Sequence, residues 1–401
     1  MKKLLLVINT LGRAGAEIAL LGLLKNLDPT KYDISLYVIM AQGEMIKQVP
    51  DHVKVLNSSF NHQSVLSKQG RWSMMKTSVA AFFRNGACAS KLRYLLKTGF
   101  AMIKAGTFQI DKLLWRVLSD GARRFDETFD LAIAYIEGGS AYYVADHVKA
   151  RKKAAFIHIA YENAGYTRQM DQDCWGQFDQ IFAVSDEVKE YFAKFYPEYS
   201  NRLAVFHNVI DREHIWHRSQ EEGGFEDDYK GLRILTVGRL TYQKGYDIAI
   251  EAMALLKKLG CQAKWYVLGE GDQRKKLEKK IADLRLQDHF CLMGAVENPY
   301  PYYRQTDLYV HATRFEGKSI AIQEAQTLGC AIIASDSDGN REHIINHEDG
   351  IICELTPKSI ADNIRLLLED KDKRKAFSRA ARRKAAQEEA QIHLLTELLM
   401  T

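Results

Sequence analysis

Short apolar strands alternate with helical segments in both halves of this 401-residue chain, and this alternation restricts the fold more than any other sequence feature. Strands are predicted at residues 3–9, 34–40, 131–135, 154–159 and 181–184, and again at 232–237, 265–268, 290–293, 308–311 and 332–334. Strands that alternate with helices favour parallel sheets with helices on both faces. The chain is also too long for one ordinary core. We therefore expect an α/β protein with two doubly wound parallel sheets.

Composition narrows the class further. The hydrophobic content of 46% is that of a globular protein, and six prolines argue against a long disordered linker. No segment reaches the roughly 18 apolar residues that a membrane span needs, and the apolar run Leu4–Ile8 is too short for a signal peptide. The six cysteines form no C-x-x-C pair, which predicts reduced thiols and a cytoplasmic protein.

Glu316 and Glu324 stand eight positions apart in the segment between two predicted strands. Ser319 is a good N-cap, and the apolar spacing after it predicts a helix that begins between the two acids. A helix start binds phosphate through its free N–H groups, and open α/β sheets bind ligands at this end of their strands. The layout suits a nucleotide sugar, with Glu316 on the sugar, residues 317–320 on the diphosphate and Glu324 on the ribose. An isolated pair of this spacing would be ordinary surface acids, but the flanking strands favour a site.

A basic and glycine-rich turn, Gly238–Gly245, follows another predicted strand. Within it, Arg239 offers a planar fork of donors and Lys244 a compact charge, and both suit a diphosphate. Elsewhere they would be unremarkable surface cations, but their position at a strand end favours a phosphate role. The turn Gly269–Asp272 follows the next strand, although such turns close many units of this kind.

Four segments in this order resemble the retaining glycosyltransferase family 4, which has the GT-B fold: Asn208–Asp211, Gly238–Gly245, Gly269–Asp272 and Glu316–Glu324. The resemblance is close over roughly residues 205–355. Near the start, the segment 12–17 is similar to the family's Gly-Gly-x-Glu turn, but its two glycines flank Arg13 and Ala14. Two further departures are Val209, where many members carry glycine, and Lys318, where an aromatic or small residue is common.

The resemblance implies two Rossmann-like domains that face each other across a cleft. An acceptor-binding domain is expected at 1–207 with a basic helical insertion at about 60–127, a nucleotide-sugar domain at 212–375, and a C-terminal helix at 376–401 that packs back on the first domain. The linker between the domains is predicted within 209–228, because its polar, acidic run has no periodic apolar signal.

The same resemblance, together with the strand-end residues, predicts the site. The expected catalytic residues are Glu316, His158, Arg239 and Lys244. The expected donor-binding residues are Gly12, Gly15, Gly238, Gly269, Gly271, Gly294, Gly317, Lys318, Ser319, Ile320 and Glu324. His158 ends a strand and faces the loop at residues 161–163, where similar enzymes place a histidine beside the transferred sugar. A histidine satisfied within the core is the alternative.

The implied activity is transfer, with retention, of a hexose or N-acetylhexosamine from a nucleoside diphosphate sugar, UDP favoured over GDP. The acceptor would be a glycan or a polyprenyl-linked glycan in cell-surface polysaccharide synthesis. We expect no cofactor and no metal, because Arg239, Lys244 and the helix start would neutralise the diphosphate and because no Asp-x-Asp pair, the usual holder of Mn²⁺ or Mg²⁺ in such enzymes, is expected at a strand end. Three alternatives stay open: a non-catalytic GT-B partner subunit, an epimerase and a phosphorylase.

Residues 52–110 contain nine lysines and arginines and no acid. From Leu92, the apolar residues fall on one helical face, and Arg93, Lys97 and Lys104 lie along its edge. Such a helix suits an anionic membrane surface, which predicts peripheral contact with the inner face of the cell membrane. An ordinary helical insertion with a solvated basic face is an equal alternative. A nucleic-acid partner is not expected, because the net charge is only +5 and no recognised nucleic-acid motif accompanies the basic residues.

Overall fold

The computed structural model describes residues 1–65, 67–86, 88–104, 109–159, 161, 165–387 and 391–400. The chain divides into two compact units, the first made of Met1–Val209 with Ala390–Thr401 and the second of Ile210–Glu389. Each unit has a central parallel sheet covered by helices. The predicted α/β class with two parallel-sheet domains is confirmed.

Seven strands form the sheet of the first unit: β1 (Lys2–Ile8), β2 (Tyr32–Val38), β3 (Val53–Val55), β4 (Thr128–Ala134), β5 (Lys149–Ile157), β6 (Gln180–Ala183) and β7 (Leu203–Val205). They are parallel and lie in the order β3-β2-β1-β4-β5-β6-β7. Residues 4–8 of the central strand β1 are completely buried, because helices cover both faces of the sheet. The strand order reverses between β1 and β4, which makes their carboxyl ends a topological switch point.

The helices of the first unit are α1 (Gly15–Asn26), α2 (Lys68–Phe83), α3 (Cys88–Lys104), α4 (Ile110–Asp120), α5 (Gly139–His147), α6 (Arg168–Asp171), α7 (Asp186–Phe195) and α16 (His393–Met400). Helices α2, α3 and α4 lie between β3 and β4, within the predicted insertion. Ser67 caps α2 by accepting a hydrogen bond from the Gly70 amide at 2.9 Å.

One of the nine basic residues of the acid-free stretch 52–110 is internal. Lys91 is only 2% exposed, and its ammonium donates to the carbonyls of Ala81, Phe82 and Arg84 at 2.9, 3.2 and 2.7 Å. These carbonyls belong to the end of α2 and the residue after it, where no further helical turn supplies donors. Lys91 therefore does not contribute to a basic surface and instead holds α3 against the end of α2.

Six strands form the sheet of the second unit: β8 (Leu232–Val237), β9 (Ala263–Leu268), β10 (Phe290–Gly294), β11 (Leu308–His311), β12 (Ile332–Ser335) and β13 (Ile351–Cys353). They are parallel, in the order β10-β9-β8-β11-β12-β13. The helices are α8 (Arg212–Ser219), α9 (Tyr246–Lys258), α10 (Arg274–Asp283), α11 (Tyr300–Gln305), α12 (Ile320–Thr327), α13 (Asp338–His343), α14 (Pro357–Glu369) and α15 (Lys371–Gln387).

Both faces of the second sheet are packed. Consecutive residues of β8 illustrate this, since Ile234 belongs to a core with side chains of α9 and α14, whereas Leu235 belongs to a core with side chains of α8, α11 and α12. Successive side chains of a strand point to opposite faces, so a continuous apolar run fills two cores. The reversal of strand order falls between β8 and β11, which again creates a switch point at their carboxyl ends.

The segment predicted as a linker is ordered onto the second unit. Asp211 caps α8 by accepting from the His214 amide at 2.9 Å. Further on, Asp227 accepts from Lys264 at 2.7 Å and from the Tyr266 hydroxyl at 2.6 Å. These hydrogen bonds lower the pKa of Asp227 despite the opposing effect of burial. An acidic run without apolar periodicity is held here by polar contacts, which periodicity does not reveal.

The end of the chain changes unit later than the expected boundary at 375. That boundary falls inside α15, whose Phe377, Ala381 and Ala385 are buried in the second unit. After α15, the chain returns to the first unit. There the Thr396 hydroxyl lies 2.9 Å from that of Tyr32, and Gln391 accepts from the His207 amide at 2.7 Å.

Candidate active site

Three loops meet at the carboxyl ends of β9, β8 and β11 in the second unit, at its switch point. The turn after β8 spans Gly238–Gly245, the turn after β9 spans Gly269–Asp272, and the loop after β11 spans 312–319. These loops hold most of the residues that the sequence assigns to donor binding. Their contacts decide which of those residues come together.

The predicted glycines of the first two turns pack against each other. A side chain at Gly269, where φ is +153°, would place its Cβ 2.0 Å from the carbonyl oxygen of Gly238. At Gly271, the Cβ would lie 2.3 Å from the Leu240 oxygen. Gly294, with φ +83°, accepts from the Gly269 amide at 2.8 Å. Close backbone approach between loops therefore explains these glycines, and direct contact with a donor stays a prediction.

Lys244 and Glu316 form a hydrogen-bonded ion pair between two of the loops. His311, at the end of β11, places its Nε2 3.3 Å from the same carboxylate oxygen. The side chains of Lys244 and Glu316 are only 14% and 16% exposed. Burial by itself would raise the pKa of Glu316, but the Lys244 ammonium and His311 outweigh it and lower that pKa. Burial and the same ammonium lower the pKa of His311. At neutral pH, the cluster thus holds an anionic Glu316 and a neutral His311.

A second set of contacts joins the turn after β8 to the loop after β11. Arg314 pairs with both carboxylate oxygens of Asp247, at 2.8 and 3.0 Å, and its guanidinium lies over the Tyr242 ring. Gln243 accepts from the Arg314 amide at 2.8 Å and donates to the carbonyl of Phe315 at 2.9 Å. These contacts fix the two loops that carry Lys244 and Glu316.

Helix α12 begins at Ile320, directly after Ser319, as predicted. The predicted capping bond is wrong, since the Ser319 side chain accepts none from the helix start and instead lies 3.4 Å from Nε2 of His311. The loop before α12 packs against α13. A Cβ at Gly339 would lie 2.2 Å from the backbone carbonyl oxygen of Glu316 and 2.3 Å from that of Gly317. The loop that carries Glu316 into α12 is therefore packed closely against the backbone of α13.

Glu324 lies on α12 and is only 3% exposed. Its two carboxylate oxygens accept hydrogen bonds from the hydroxyls of Tyr300 and Tyr303, both at 3.1 Å. Burial raises the pKa of Glu324 to about 7, although the tyrosine hydroxyls oppose this. From the sequence, we expect a Glu324 carboxylate that is open to a ribose. The structure instead places it within a tyrosine pair, and ribose binding stays a prediction.

The remaining predicted donor residues of this unit sit around the cluster. Arg239 has an exposed side chain on the turn after β8, whereas Lys318 is half-buried beside the start of α12. The Lys318 ammonium and, above all, burial lower the pKa of His343. Gly238 accepts from the Tyr246 hydroxyl at 2.8 Å. The structure thus pairs Lys244 with Glu316, while Arg239 extends from the same edge toward solvent.

The expectation that no Asp-x-Asp pair stands at a strand end is wrong, because Asp336 and Asp338 directly follow β12. Arg341 pairs with both of its acids, with Asp336 at 2.7 Å and with Asp338 at 2.9 Å. Across the described residues, no group of three or more His, Cys, Asp or Glu side chains has the arrangement of a metal site. Independence from metal stays a prediction.

In the first unit, polar residues gather at the ends of β1, β4 and β5. Asn9 donates to the Glu137 carbonyl at 3.3 Å and accepts from the Ser140 amide at 2.7 Å. The Glu137 carboxylate accepts from the His158 amide at 3.0 Å. Glu137 is 4% exposed, and burial raises its pKa. Three strand ends are therefore tied together by a buried carboxylate and an amide side chain.

His158 follows β5 directly, as predicted. Its Nε2 is buried and has no hydrogen-bond partner among the described residues. Burial lowers the pKa of His158 to about 4, against the opposing effect of a hydrogen bond to the backbone of Tyr135. The ring is therefore neutral at pH 7, and Nε2 is a free polar atom at a strand end. Of the loop it was expected to face, residues 162–164 lie outside the described part of the chain.

Gly12 and Gly15 lie in the segment between β1 and α1. A Cβ at Gly12 would lie 2.9 Å from Cγ2 of Val65 in the insertion. Gly15 is the first residue of α1. Both residues belong to the first unit, as does His158, and their assignment to the donor is untested.

Residues 220–384 match the family described as glycosyl transferases group 1. The matched residues lie within the second unit, Ile210–Glu389. The chain is 24% identical to a Campylobacter jejuni protein, in an alignment that covers 96% of this chain and 95% of that protein. The relative is named N-acetylgalactosamine-N,N'-diacetylbacillosaminyl-diphospho-undecaprenol 4-alpha-N-acetylgalactosaminyltransferase. The chain is also 22% identical to AmsD, an amylovoran biosynthesis glycosyltransferase of Erwinia amylovora, in an alignment that covers 56% of this chain and 62% of AmsD.

Solved structures agree on the fold. The structure of Anabaena HepE with UDP and glucose superposes with a TM-score of 0.69 and 16% identity over the full length of both chains. TarM of S. aureus, solved with UDP and other ligands, superposes at 0.66 and 13% identity over 100% of this chain and 99% of that one. These neighbours and the two parallel sheets identify the GT-B fold. Together with the sequence relatives, they support a bacterial glycosyltransferase.

Several residues of this candidate site were not found from the sequence. His311, Tyr300 and Tyr303 contact the two acids, and Asn9 and Glu137 tie the strand ends of the first unit. A usable signal existed for Glu137, since an acid followed by two glycines comes shortly after a buried strand there. The two tyrosines carried no such signal, because they lie on a separate short helix.

Proposed function

We propose that this protein is a retaining glycosyltransferase that moves a hexose or N-acetylhexosamine from UDP-sugar to a glycan or lipid-linked glycan acceptor. The observation that carries the proposal is the convergence of Lys244, His311 and Glu316 at the start of α12. This cluster lies at the switch point of the sheet, where α/β folds bind nucleotides. It combines an anion-binding helix start with a cation and a buried carboxylate.

The leaving diphosphate would bind the free amides at the start of α12, with Lys244 and Arg239 as its cations. Fixed donors aimed at developing charge are the largest catalytic contribution in many enzymes. In the reaction, the bond between the anomeric carbon and the diphosphate oxygen breaks. The acceptor hydroxyl oxygen bonds to the same face of that carbon, and its proton passes to the departing diphosphate. Both solved neighbours named above contain UDP, which supports UDP as the carrier. The charges of these groups make a metal unnecessary.

Each acid has a distinct role in this proposal. Glu316 is anionic and would accept hydrogen bonds from hydroxyls of the transferred sugar. Glu324 would reach the ribose, which requires it to exchange one tyrosine hydroxyl for a ribose hydroxyl. A carboxyl with a pKa of about 7 can accept from one partner and donate to another at neutral pH.

The acceptor would bind at the strand ends of the first unit. The free Nε2 of His158 is suited to accept a hydrogen bond from a sugar hydroxyl, since its neutral ring donates through the other nitrogen. The name of the Campylobacter relative specifies a sugar on diphospho-undecaprenol, which supports a lipid-linked acceptor. Relatives in polysaccharide biosynthesis support the same pathway class.

A lipid-linked acceptor requires access to a membrane, and the insertion offers a surface for it. Two apolar stripes face solvent, each residue 50–72% exposed: Trp72, Met75, Val79 and Phe83 on α2, and Leu92, Leu96, Phe100 and Ile103 on α3. Exposed basic side chains flank them on both helices. Such faces suit the inner face of an anionic membrane. None of the helices in the described ranges combines the length and the apolar run needed to cross a bilayer.

Donor turnover tests this function. Purified protein is mixed with a panel of UDP- and GDP-sugars, and release of nucleoside diphosphate is measured with and without lipid-linked glycans. We expect hydrolysis of at least one UDP-sugar, with Lys244→Ala at least tenfold slower and the exposed Lys275→Ala unchanged. Absence of turnover with every donor, despite donor binding, would indicate a non-catalytic partner. NMR of the product linkage reports retention or inversion.

A further inference from the structure

A cavity of about 500 Å³ opens between α2 and α4 in the first unit. Its walls include Met40, Met74, Val79, Phe82, Leu114 and Trp115. The hydroxyl of Ser78, a polar residue of the lining, already donates to the Met74 carbonyl at 2.9 Å. The volume is that of a ligand pocket, which is typically about 300–1,000 Å³. The described lining, however, offers almost no group that could hydrogen-bond a sugar or a nucleotide.

This lining selects for hydrocarbon. A polar ligand would lose its hydrogen bonds to water without replacement, which is costly. Three methionines, Met40, Met74 and Met75, line the cavity, and their flexible side chains adapt to an irregular chain. The rim is open to solvent, because Met75, Val79 and Phe83 are 56%, 57% and 69% exposed. An apolar cavity with an exposed apolar rim suits a chain that enters from the surface.

The surroundings indicate what the chain is attached to. Within residues 52–110, which include α2 and α3, the sequence has no acid, and Arg71, Lys76 and Arg84 are exposed on or next to α2. This charge complements an anionic head group such as a phosphate. A neutral lipid or an apolar peptide would gain nothing from it.

The cavity also adjoins the polar strand ends of the first unit. Trp115 lines the cavity and packs against the start of α5, where a Cβ at Gly139 would lie 2.8 Å from its Cε3 atom. At Gly138, where φ is +79°, a Cβ would lie 3.3 Å from Cδ1 of Trp115. The next residue upstream is Glu137, which bonds the His158 amide. One tryptophan therefore separates the apolar cavity from the buried polar cluster.

We propose that this cavity binds the prenyl chain of a polyprenyl phosphate-linked acceptor. Its anionic phosphates would face the basic side chains of the insertion, and its sugar would reach the strand ends beside His158. The assignment of the sugar rests on the function proposed above, whereas the chain site rests on the cavity and its charge. Each buried methylene strengthens binding roughly fourfold, the equivalent of about 0.8 kcal/mol.

Farnesyl phosphate, a short prenyl chain with an anionic head, serves as the probe. Calorimetric titration without any donor compares it with inorganic phosphate and with phosphatidylglycerol vesicles. We expect farnesyl phosphate to bind the parent at least tenfold more tightly than inorganic phosphate. Val79→Trp should fill the cavity mouth, and Met75→Glu should place a charge at its rim. Each should weaken farnesyl phosphate binding at least tenfold. Leu366→Trp, on the half-exposed face of α14, is the matched control and should bind like the parent.

Circular dichroism and thermal melting establish that at least one of the two variants is folded. Parent-like binding of farnesyl phosphate by both variants overturns the proposal, as does equal affinity of the parent for inorganic phosphate. Adsorption to vesicles without saturable farnesyl phosphate binding would assign the surface to membrane lipid alone. A parent dimer that Val79→Trp converts to monomer, measured by light scattering, would assign the cavity to a second copy. Donor hydrolysis is a separate measurement. If no donor is hydrolysed, binding of farnesyl phosphate that Val79→Trp weakens would still support the prenyl site. If farnesyl phosphate does not bind, donor hydrolysis would still support the proposed function.

Discussion

The ammonium of Lys244 and the carboxylate of Glu316 hydrogen-bond each other between two loops of the second unit, 72 residues apart in the chain. Their positions in the sequence predict separate ligands, the diphosphate for Lys244 and the sugar for Glu316. In the structure, each is the counterion of the other, and His311 shares the same carboxylate oxygen. A diphosphate that binds Lys244 must therefore compete with Glu316 or share the ammonium with it.

This coupling makes the first prediction one of non-additivity. Lys244→Ala and Glu316→Gln should each lower kcat/KM for transfer at least tenfold, since a lost charged hydrogen bond costs roughly 1.5–3 kcal/mol. The double variant should lose clearly less than the product of the two single losses, because each single change already breaks the pair. Steady-state kinetics of the four proteins measure this, with Lys275→Ala as the control. Additive losses would mean that the two residues act independently.

Glu324 predicts a pH-dependent stability difference. Its pKa of about 7 in the folded protein lies above the unfolded value of 4.5, so the folded state binds its proton more tightly. The stabilisation by protonated Glu324 is complete below pH 4.5 and is lost as pH rises through 7. Glu324→Gln stays neutral throughout, so its Tm relative to the parent should rise between pH 5 and 8. The largest change that this pKa shift can make in the free energy of unfolding is about 3 kcal/mol.

The same variant should be at least tenfold slower in transfer if Glu324 binds the ribose. Thermal melts at half-unit pH steps test the stability effect. A control variant needs an exposed position, which excludes the neighbouring Gln323 because its side chain is buried. The exposed Glu278→Gln on α10 is a better one. A Tm difference that does not change with pH would contradict the raised pKa.

Removal of divalent metal should leave transfer largely unchanged. Lys244, Arg239 and the start of α12 supply the positive charge that a metal ion would otherwise provide. The acids Asp336 and Asp338 are already paired with Arg341. Transfer is measured after dialysis against EDTA and again after addition of Mg²⁺ or Mn²⁺. Activity that disappears in EDTA and returns with Mg²⁺ would falsify this expectation.

Neutralising Arg93, Lys97 and Lys104 together should weaken adsorption to anionic vesicles and slow transfer to a lipid-linked acceptor. Each basic side chain near an anionic surface contributes about 1 kcal/mol, so the loss should exceed tenfold at low salt. The control removes three exposed cations from α15 of the second unit, Lys371, Lys375 and Arg379. Vesicle sedimentation at two salt concentrations measures binding. If the α3 variant and the control sediment alike, the insertion has only a solvated basic face.

Lys91 predicts a structural effect inside the same insertion. Its three hydrogen bonds to carbonyls at the end of α2 are buried, so Lys91→Met should lower the free energy of unfolding of the first unit by about 1–3 kcal/mol. Lys97→Met removes the same charge from an exposed position of the same helix and should be nearly neutral. Urea unfolding followed by fluorescence compares them. Equal midpoints would place Lys91 among the surface cations.

Local pattern was sufficient for the parts of the fold whose cause is local. Continuous apolar runs predict the strands, because a parallel strand is buried on both faces. The start of α12 after Ser319 and the position of His158 at the end of β5 follow from neighbouring residues alone. These local features are sufficient to place the candidate residues at strand ends.

Contacts between distant segments were decided only by tertiary structure. The Lys244–Glu316 pair, the tyrosines on Glu324 and the buried ammonium of Lys91 each join elements whose patterns are independent of each other. A sequence pattern shows that Glu324 is on a helix, but burial and the Tyr300 and Tyr303 hydroxyls set its pKa. The sequence by itself therefore determined the sheets and the type of residue at their ends. Packing determined which of those residues are charged, paired or free to bind a ligand, because desolvation and pairing depend on neighbours that the chain brings together only when it folds.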